Sequence, residues 1–425
     1  MLRRVFLCFI LIGALSANAM AASVPMIVQL GPLGNILNVV NTLGGTLLDS
    51  VPGTNTHLVS FPSLPAVSSL LQSLPGITSM EVDKTLLVPD HGQMGILTVA
   101  PATAADWYKN QPELLRIRAV AAQTYAKGRS VVVADLNSSV DYGHPALIGH
   151  LTSGFDFVNS RSGYRGTLNQ SSATFLDQSS ATFLDQSSAT FLDQSSATFL
   201  DQSAATFIDQ SSATFIDGND NPAYSHGTLC AGIIAAMAPD SMIMPLRIFD
   251  DTGQTDVFSV VKAIHYAVGN GARVINMSFG MSQASPSVQS AINKAVNSGV
   301  VVVASAGNAG TSTPQFPASA GGVISVAAVS SMDQKASFSN YGSTVYVDAP
   351  GVNIISAFPG GRYEMVSGTS FSAPMVAAEA AMIMSVKNTN VKSLIGSAVV
   401  SIDAQNPSYS GKLGRGRIDV LNAVK

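Results

Sequence analysis

Residues 274–304 read VINMSFGMSQASPSVQSAINKAVNSGVVVVA and are the clearest guide to the architecture of this chain. The stretch begins and ends with short apolar runs, 274–277 and 300–304, which are typical of strands buried on both faces of a sheet. Between them, residues 287–296 carry apolar side chains at helical spacing. A strand, a helix and a second strand in this order predict a βαβ unit with two parallel strands.

The same alternation extends from residue 130 to the end of the chain. A second amphipathic pattern predicts a helix at 257–268. We expect strands at 131–134, 243–248, 274–277, 300–304, 323–329 and 345–347. This pattern predicts an α/β fold with a doubly wound, mostly parallel sheet and helices on both faces. In such sheets the functional groups collect at the carboxyl ends of the strands.

A smaller unit is predicted before this region, at residues 24–90. The expected elements are strands at 26–30, 57–61 and 77–82 and helices at 34–43 and 66–73. This alternation suits a small α+β domain of ferredoxin-like type. Residues 91–107 carry few regular patterns and are interpreted as a linker, so the larger domain spans 108–425.

Residues 1–21 have the pattern of a secretory signal peptide. A basic start at Arg3 and Arg4 is followed by an apolar run and by small residues that offer cleavage sites. The alternative is a membrane anchor, but the run is shorter than the roughly 20 residues that span a bilayer. We therefore expect a secreted protein, extracellular or periplasmic, with no membrane anchor after cleavage. Cys8 would be lost with the peptide, and Cys230 alone allows no disulfide within the chain.

The composition excludes several classes of protein. Of the 425 residues, 46% are hydrophobic and only 11% are charged, which lies outside the range of a disordered polymer. The formal net charge is -4, and no basic run occurs. A nucleic-acid partner would require a basic surface, so we expect none.

Residues 168–215 contain six tandem copies of an octapeptide of the type Leu-Asp-Gln-Ser-Ser-Ala-Thr-Phe, and we call this segment the octapeptide array. The period is too short for helical-hairpin repeats, and the copies lack the glycines of calcium-binding β-rolls. Each copy could form a short strand and a turn, so stacked strands are one interpretation. We favour a surface insertion, because long loop insertions cost little closure entropy.

Three residues at the ends of predicted elements could form a nucleophilic site. Ser370 directly precedes an apolar helical run, where free N–H groups and the helix dipole favour a developing negative charge. His226 also stands before a helical run and could take the proton of a serine. Asp135 is expected to close the strand 131–134 at the carboxyl edge of the sheet, where it could orient the imidazole. The rival carboxylate, Asp141, lies past that strand in an expected turn.

The order Asp135, His226, Ser370 and the motifs around these residues resemble the subtilisin-like serine protease (subtilase) family. His226 begins His-Gly-Thr, and Ser370 lies in Gly-Thr-Ser-Phe-Ser-Ala-Pro. The resemblance implies a secreted serine endopeptidase with Asp135, His226 and Ser370 as its catalytic triad. It also implies that the side chain of Asn308 donates to the oxyanion.

The resemblance further implies a substrate cleft and an inhibitory propeptide. The residues that would form the walls of the cleft are Ser278, Phe279 and Gly280 on one side and Ser305, Ala306 and Gly307 on the other. Neither wall contains Asp or Glu, so we expect an uncharged pocket that prefers hydrophobic or aromatic residues. The expected partners of a monomeric enzyme are protein or peptide substrates and its own 24–90 region, which is similar to a subtilisin propeptide.

The chain departs from the family pattern at three places. Asp135 is followed by Leu136 and Asn137, where the family usually has Thr-Gly or Ser-Gly. Ala146 stands where the family often has a calcium-binding aspartate, which weakens the case for a structural calcium ion. No metal ligand is assigned, and no cofactor is expected to be required for the chemistry. Glu379 lies in the apolar run after the nucleophile and needs a partner or a solvent-facing position.

Functions of other classes stay open at this point. One is a catalytically impaired subtilase-like binding protein, and another is a surface protein whose octapeptide array carries the function. An α/β-hydrolase esterase is disfavoured, because Ser370 has no Gly-x-Ser-x-Gly elbow around it. We interpret Cys230 as a buried small hydrophobic residue and not as a nucleophile, because it lies on the apolar face of its predicted helix.

Overall fold

A computed structural model describes residues 23–65, 76–87, 108–162, 225–281 and 283–425. The chain divides into two compact units between Val82 and Asp83. The predicted signal peptide, the helix at 66–73, the linker and the octapeptide array lie outside the described residues.

The first unit contains an antiparallel sheet and a helix. Its described elements are β1 (Val24–Leu30), α1 (Ile36–Leu43), β2 (Thr46–Ser50), β3 (Thr56–Phe61) and β4 (Ile77–Val82). The strand order in the sheet is β2-β3-β1-β4. Buried apolar side chains from β1, β3, β4 and α1 form a separate small core. The order of elements along the chain fits the ferredoxin-like pattern expected for this region.

Strand β2 does not appear in the sequence prediction. It is short, lies at the edge of the sheet and leaves most of its side chains exposed or half-buried. Such a strand lacks the buried apolar run on which the other strand predictions depend. Both ends of helix α1 are capped. The side chain of Asn35 accepts a hydrogen bond from the backbone amide of Leu37 at the start, and Gly44 ends the helix in the left-handed conformation.

The second unit contains the remaining elements. Its strands are β5 (Thr85–Leu87), β6 (Val132–Asn137), β7 (Phe155–Asp156), β8 (Arg161–Ser162), β9 (Met242–Arg247), β10 (Gln254–Asp256), β11 (Val274–Met277), β12 (Val301–Ser305), β13 (Ile324–Val329), β14 (Val347–Pro350), β15 (Ile354–Phe358), β16 (Arg362–Val366), β17 (Val399–Val400) and β18 (Arg417–Ile418). Its helices are α2 (Pro112–Arg116), α3 (Ala119–Ala122), α4 (His226–Met237), α5 (Val257–Gly269), α6 (Pro286–Asn297), α7 (Thr369–Val386), α8 (Val391–Ser397) and α9 (Val420–Val424), with short 3-10 turns at Asp403–Gln405 and Pro407–Tyr409.

A ten-stranded sheet forms the centre of the described part of this unit, in the order β17-β18-β14-β13-β12-β11-β6-β9-β7-β8. The pairs from β18 to β7 are parallel, and the outermost pair at each edge is antiparallel. Helices α4 and α7 pack together, as do α5 and α6, and each pair also packs against strands of the sheet. The predicted α/β fold with a doubly wound, mostly parallel sheet is confirmed.

Strand β6 is longer than the sequence prediction. It ends at Asn137, whereas the apolar pattern placed its end at residue 134. Asp135 therefore lies inside the strand, in register with Asn276 on β11 and Pro245 on β9. This position is buried in the sheet and is not at its carboxyl edge.

The boundary between the two units also differs from the predicted one at residue 90. Strand β5 pairs with β10 of the larger unit, which accounts for the placement of residues 83–87 there. Among the described helices, α7 is long and apolar enough to cross a membrane by length and composition. It is 83% buried within the protein, which is the property of a core helix.

Candidate active site

Ser370 lies in the first turn of α7, whereas the sequence pattern placed it directly before the helix. Its Oγ donates to the carbonyl oxygen of Ser278 at 3.3 Å, and its own carbonyl oxygen accepts from the hydroxyl of Ser278 at 2.8 Å. These two bonds hold the serine against the end of β11. At the start of a helix the free amides and the dipole stabilise negative charge, which favours an anionic intermediate at this serine.

His226 is the first residue of α4 and is buried. The thiol of Cys230, one turn later, is 3.8 Å from Nδ1 of His226 and donates to the carbonyl oxygen of Ser370 at 3.5 Å. The ring of His226 also lies 5.8 Å from the ring of Phe371, between centroids. These contacts with Cys230 and Phe371 place His226 beside the start of α7, where α4 packs against that helix.

The residue that contacts His226 at Nδ1 is Asn137. Its Oδ1 lies 2.6 Å from Nδ1, whereas the sequence analysis expected the carboxylate of Asp135 in this role. The difference follows from the length of β6: side chains two residues apart share one face of a strand, and Asn137 is nearer the carboxyl edge. Asp135 lies directly behind Asn137, and each of its carboxylate oxygens accepts from the Asn137 amide, at 3.3 and 3.2 Å.

Asp135 is fully buried and is held by amides. Besides Asn137, the side chain of Asn276 donates to its Oδ1 at 2.8 Å. Burial raises the pKa of Asp135 to about 7, and the hydrogen bonds from Asn276 and Asn137 oppose this rise. A carboxylate and two amides therefore form one network behind the imidazole.

The side chain of Asn308 is fixed by its oxygen at the start of α7. Its Oδ1 accepts from the backbone amide of Thr369 at 2.9 Å and from the hydroxyl of Thr369 at 2.7 Å. Because the oxygen is engaged in this way, the NH2 group is the end of the side chain that points elsewhere. Asn308 and Ser370 line the same cavity, so this donor can serve an oxygen bound near the serine.

The cavity beside Ser370 has a volume of about 270 Å³. Its described lining residues are Gly280, Ser305, Gly307, Asn308, Ala309, Gln315, Thr369 and Ser370. Three of the six predicted wall residues are therefore part of the surface of the cavity. The other three, Ser278, Phe279 and Ala306, are buried and do not line the cavity. No Asp or Glu occurs among the described lining residues, in agreement with the expected uncharged pocket.

Gln315 is a pocket residue that the sequence patterns did not indicate. A β-carbon on Gly307 would lie 2.0 Å from its Oε1, and one on Gly280 would lie 2.7 Å from the same atom. A side chain at either position would therefore have to displace the end of the Gln315 side chain, and Gly307 also has a φ of 105°, which side chains rarely adopt. The pair Gly280 and Gly307 could have indicated a close approach, but no pattern identifies which side chain approaches.

Three other predicted roles can be compared with the structure. Cys230 is buried, and burial followed by the charge of Asp135 raises the pKa of its thiol, which confirms the interpretation as a core residue. Asp141 accepts from the amides of Gly143 and Gly360, so it holds a loop, as expected for a turn residue. Within the described ranges, no three His, Cys, Asp or Glu residues lie close enough to hold a metal ion. The expectation about calcium stays a prediction.

Comparisons with known proteins agree on the family of the larger unit. The family model described as the subtilase family, peptidase S8, matches residues 128–406. A thermophilic serine proteinase of Bacillus sp. (strain AK1) is 41% identical over 210 residues, covering 47% of this chain and 52% of the relative. Thermitase of Thermoactinomyces vulgaris is 37% identical over 212 residues, covering 47% of this chain and 75% of the relative. The chain thus spans about half the length of the first of these relatives.

A solved structure shows the same fold. Fervidolysin from Fervidobacterium pennivorans, a keratinolytic enzyme related to subtilisin, superposes with a TM-score of 0.68. The similarity covers 96% of this chain and 61% of fervidolysin, at 22% sequence identity.

Proposed function

Because the chain belongs to the subtilase family, we propose that it is a serine endopeptidase that hydrolyses peptide bonds through an acyl-enzyme. The observation that carries the proposal is that Ser370, in the first turn of α7, and Asn308 line the same cavity. The helix that packs against α7 is α4, and α4 begins with His226. A nucleophile, a base and an oxyanion donor are the groups that acyl transfer requires.

In this mechanism the hydroxyl of Ser370 attacks the substrate carbonyl while Nε2 of His226 takes its proton. The carbonyl oxygen becomes an oxyanion and accepts from the amide of Asn308. Collapse of the intermediate breaks the C–N bond, and the imidazolium returns its proton to the leaving amine. A water molecule then attacks the acyl-enzyme with the same base, which releases the acid and restores Ser370.

We propose protein or peptide substrates whose residue before the scissile bond is hydrophobic or aromatic. The absence of Asp and Glu from the described lining of the cavity supports this, since a buried Arg or Lys would lack a counter-charge there. We also propose that residues 1–21 direct export and that the 24–90 region inhibits the enzyme until it is cleaved off by the Ser370 site. The mature enzyme would then act as a monomer.

A second candidate function is a catalytically impaired subtilase-like protein that binds ligands or acts at a surface through its octapeptide array. It is favoured by the neutral Asn137 at the position that contacts His226, because a triad usually places a carboxylate there.

A fluorophosphonate probe separates the two candidates. We expect the purified full chain to be labelled and to hydrolyse casein, and we expect Ser370→Ala to be unlabelled and to accumulate as the unprocessed form. His226→Ala should retain less than about one hundredth of the turnover, because loss of a triad base costs several orders of magnitude. An unlabelled wild-type chain that is folded would support the impaired protein instead.

A further inference from the structure

We propose that Asp135 is a positioning residue that acts on His226 through Asn137, by fixing the direction of the Asn137 amide and by supplying a negative charge one amide group away. The inference rests on the proposed function, and it assigns to two side chains the task that one carboxylate performs in a triad.

The direction of the Asn137 amide is determined by its neighbours on both sides. The backbone amide of Ser138 can only donate, and it lies 2.9 Å from the atom assigned as Oδ1. At the other end, the carboxylate of Asp135 is an acceptor when ionised and lies 3.2–3.3 Å from Nδ2. Reversing the amide would set donor against donor at Ser138 and acceptor against acceptor at Asp135, so the observed direction is the stable one.

This direction determines the tautomer of His226. Since Oδ1 of Asn137 accepts, Nδ1 of His226 must carry the hydrogen of the 2.6 Å bond. Nε2 of the neutral ring is then the nitrogen with a lone pair, as a base for Ser370 requires. In another serine protease, asparagine in place of the triad aspartate costs about 10^4-fold in turnover, because it favours the wrong tautomer. Here the carboxylate of Asp135 and the backbone amide of Ser138 prevent that error.

Above its pKa of about 7, where Asp135 is ionised, its charge supplies the second part of the task. Its carboxylate is fully buried, so its field at the imidazolium is weakly screened by solvent. The side chains that donate to it, Asn137 and Asn276, are neutral amides, so neither forms an ion pair with the carboxylate. The titratable and charged residues on the described elements packed against β6 are His226 and Cys230 on α4, Arg247 on β9, Lys262, His265 and Tyr266 on α5, and Glu379 on α7.

The test compares three variants in the full chain: Asp135→Asn, Asn137→Asp and the charge swap that combines both. The kcat and KM for a chromogenic peptide are measured from pH 5 to 9. The enzyme concentration used to calculate kcat is the concentration of sites that react with the fluorophosphonate. At pH 8 to 9, where Asp135 is ionised, Asp135→Asn should lower kcat by about 10- to 100-fold with little change in KM, because it removes a buried charge near the imidazolium and leaves the Ser138 amide in place. Asp348→Asn, which removes a buried aspartate from β14, is the matched control and should keep kcat within about twofold of the wild type.

The charge swap should restore kcat to the wild-type value or above, because its carboxylate contacts Nδ1 directly and its amide donates from position 135. Asn137→Asp alone sets two carboxylates side by side, and like charges at this distance share a proton, so the acid limb of its pH profile should move upward. Wild-type kcat in Asp135→Asn, or a charge swap no more active than Asp135→Asn, would overturn the inference. A wild-type chain that neither labels nor hydrolyses would instead overturn the proposed function, and the inference with it.

A second measurement does not depend on activity, and it still tests the inference if one of the Asp135 or Asn137 variants fails to fold. In Ser370→Ala labelled with 15N-histidine, His226 at high pH should show hydrogen on Nδ1 and none on Nε2. Hydrogen on Nε2 would mean that the Asn137 amide is reversed, and the inference would be wrong.

Discussion

The buried acid Glu379 allows a quantitative prediction about stability. It lies in the middle of α7, has no exposed surface, and neither of its carboxyl oxygens has a hydrogen-bond partner among the described residues. Burial, followed by the negative charge of Asp419, raises the pKa of Glu379 well above its ordinary value. The sequence left open whether this side chain finds a partner or reaches solvent, and the structure gives it neither within the described ranges.

The sign of the pH effect follows from the direction of the shift. The folded chain binds the proton of Glu379 more tightly than the unfolded chain does, so stability is greatest below the ordinary pKa of 4.5 and falls as the pH rises above it. While the group stays protonated in the folded state, each pH unit costs about 1.4 kcal/mol of the free energy of unfolding. Glu379→Gln and Glu379→Met should both remove this slope.

The assay is urea unfolding at pH 5.5 and pH 6.5 in a Ser370→Ala background, which prevents self-digestion. The difference in unfolding free energy between each variant and its parent should change by about 1.4 kcal/mol between the two pH values, in favour of the variant at the higher pH. Other buried acids are common to both proteins and cancel in this difference. Glu379→Met should also exceed Glu379→Gln in stability by about 1–3 kcal/mol, because it leaves no buried amide unsatisfied. A difference that is the same at both pH values would show that Glu379 is already ionised in the folded chain and would refute the reasoning.

Three further predictions concern the active site. Asn308→Ala should lower kcat by about 100- to 1000-fold with little effect on KM, which is the loss that follows removal of one such donor in subtilisin. A variant with the kcat of the wild type would exclude an oxyanion role for Asn308. Gln315→Ala should widen the cavity and shift a peptide-library profile toward larger residues before the scissile bond; an unchanged profile would show that Gln315 does not limit the pocket. Replacing residues 168–215 by a short Gly-Ser linker should change turnover on a small peptide by less than about tenfold, or roughly 1.4 kcal/mol of barrier. A larger loss in a folded, self-processed variant would show that the octapeptide array helps to build the site.

The elements that the sequence predicted well are those with buried apolar runs. Strand β11 has the predicted bounds, and α5 and α6 agree within one residue at each end. These elements lie in or against the parallel sheet, where both faces of a strand are covered and the apolar pattern is continuous. The hairpin of β15 and β16 was missed, although its residues are mostly buried. It is antiparallel and apart from the main sheet, so no alternation of strands and helices indicates it.

The candidate site was predicted in its residue types more accurately than in its contacts. Ser370, His226 and Asn308 stand at the starts of helices or after a strand, where the local pattern alone determines their position. The partner of His226 depends instead on where β6 ends, and the prediction ended the strand at its first charged residue. A charged residue can continue a buried strand when neighbouring strands supply donors, as Asn276 does for Asp135.

One feature of the sequence did contain the missing information. Leu136 continues the apolar run after Asp135, and Asn137 restores a polar residue two positions later. Polar residues at positions i and i+2 of a strand lie on the same face and are close enough to bond each other. Of two such residues, the one nearer the carboxyl end contacts groups beyond the sheet, and the other supports it from behind. A carboxylate in the supporting position, such as Asp135, can still influence the chemistry if the residue in front of it passes on the direction of its hydrogen bond and the effect of its charge. An amide such as Asn137 can do this, because it has a donor at one end and an acceptor at the other.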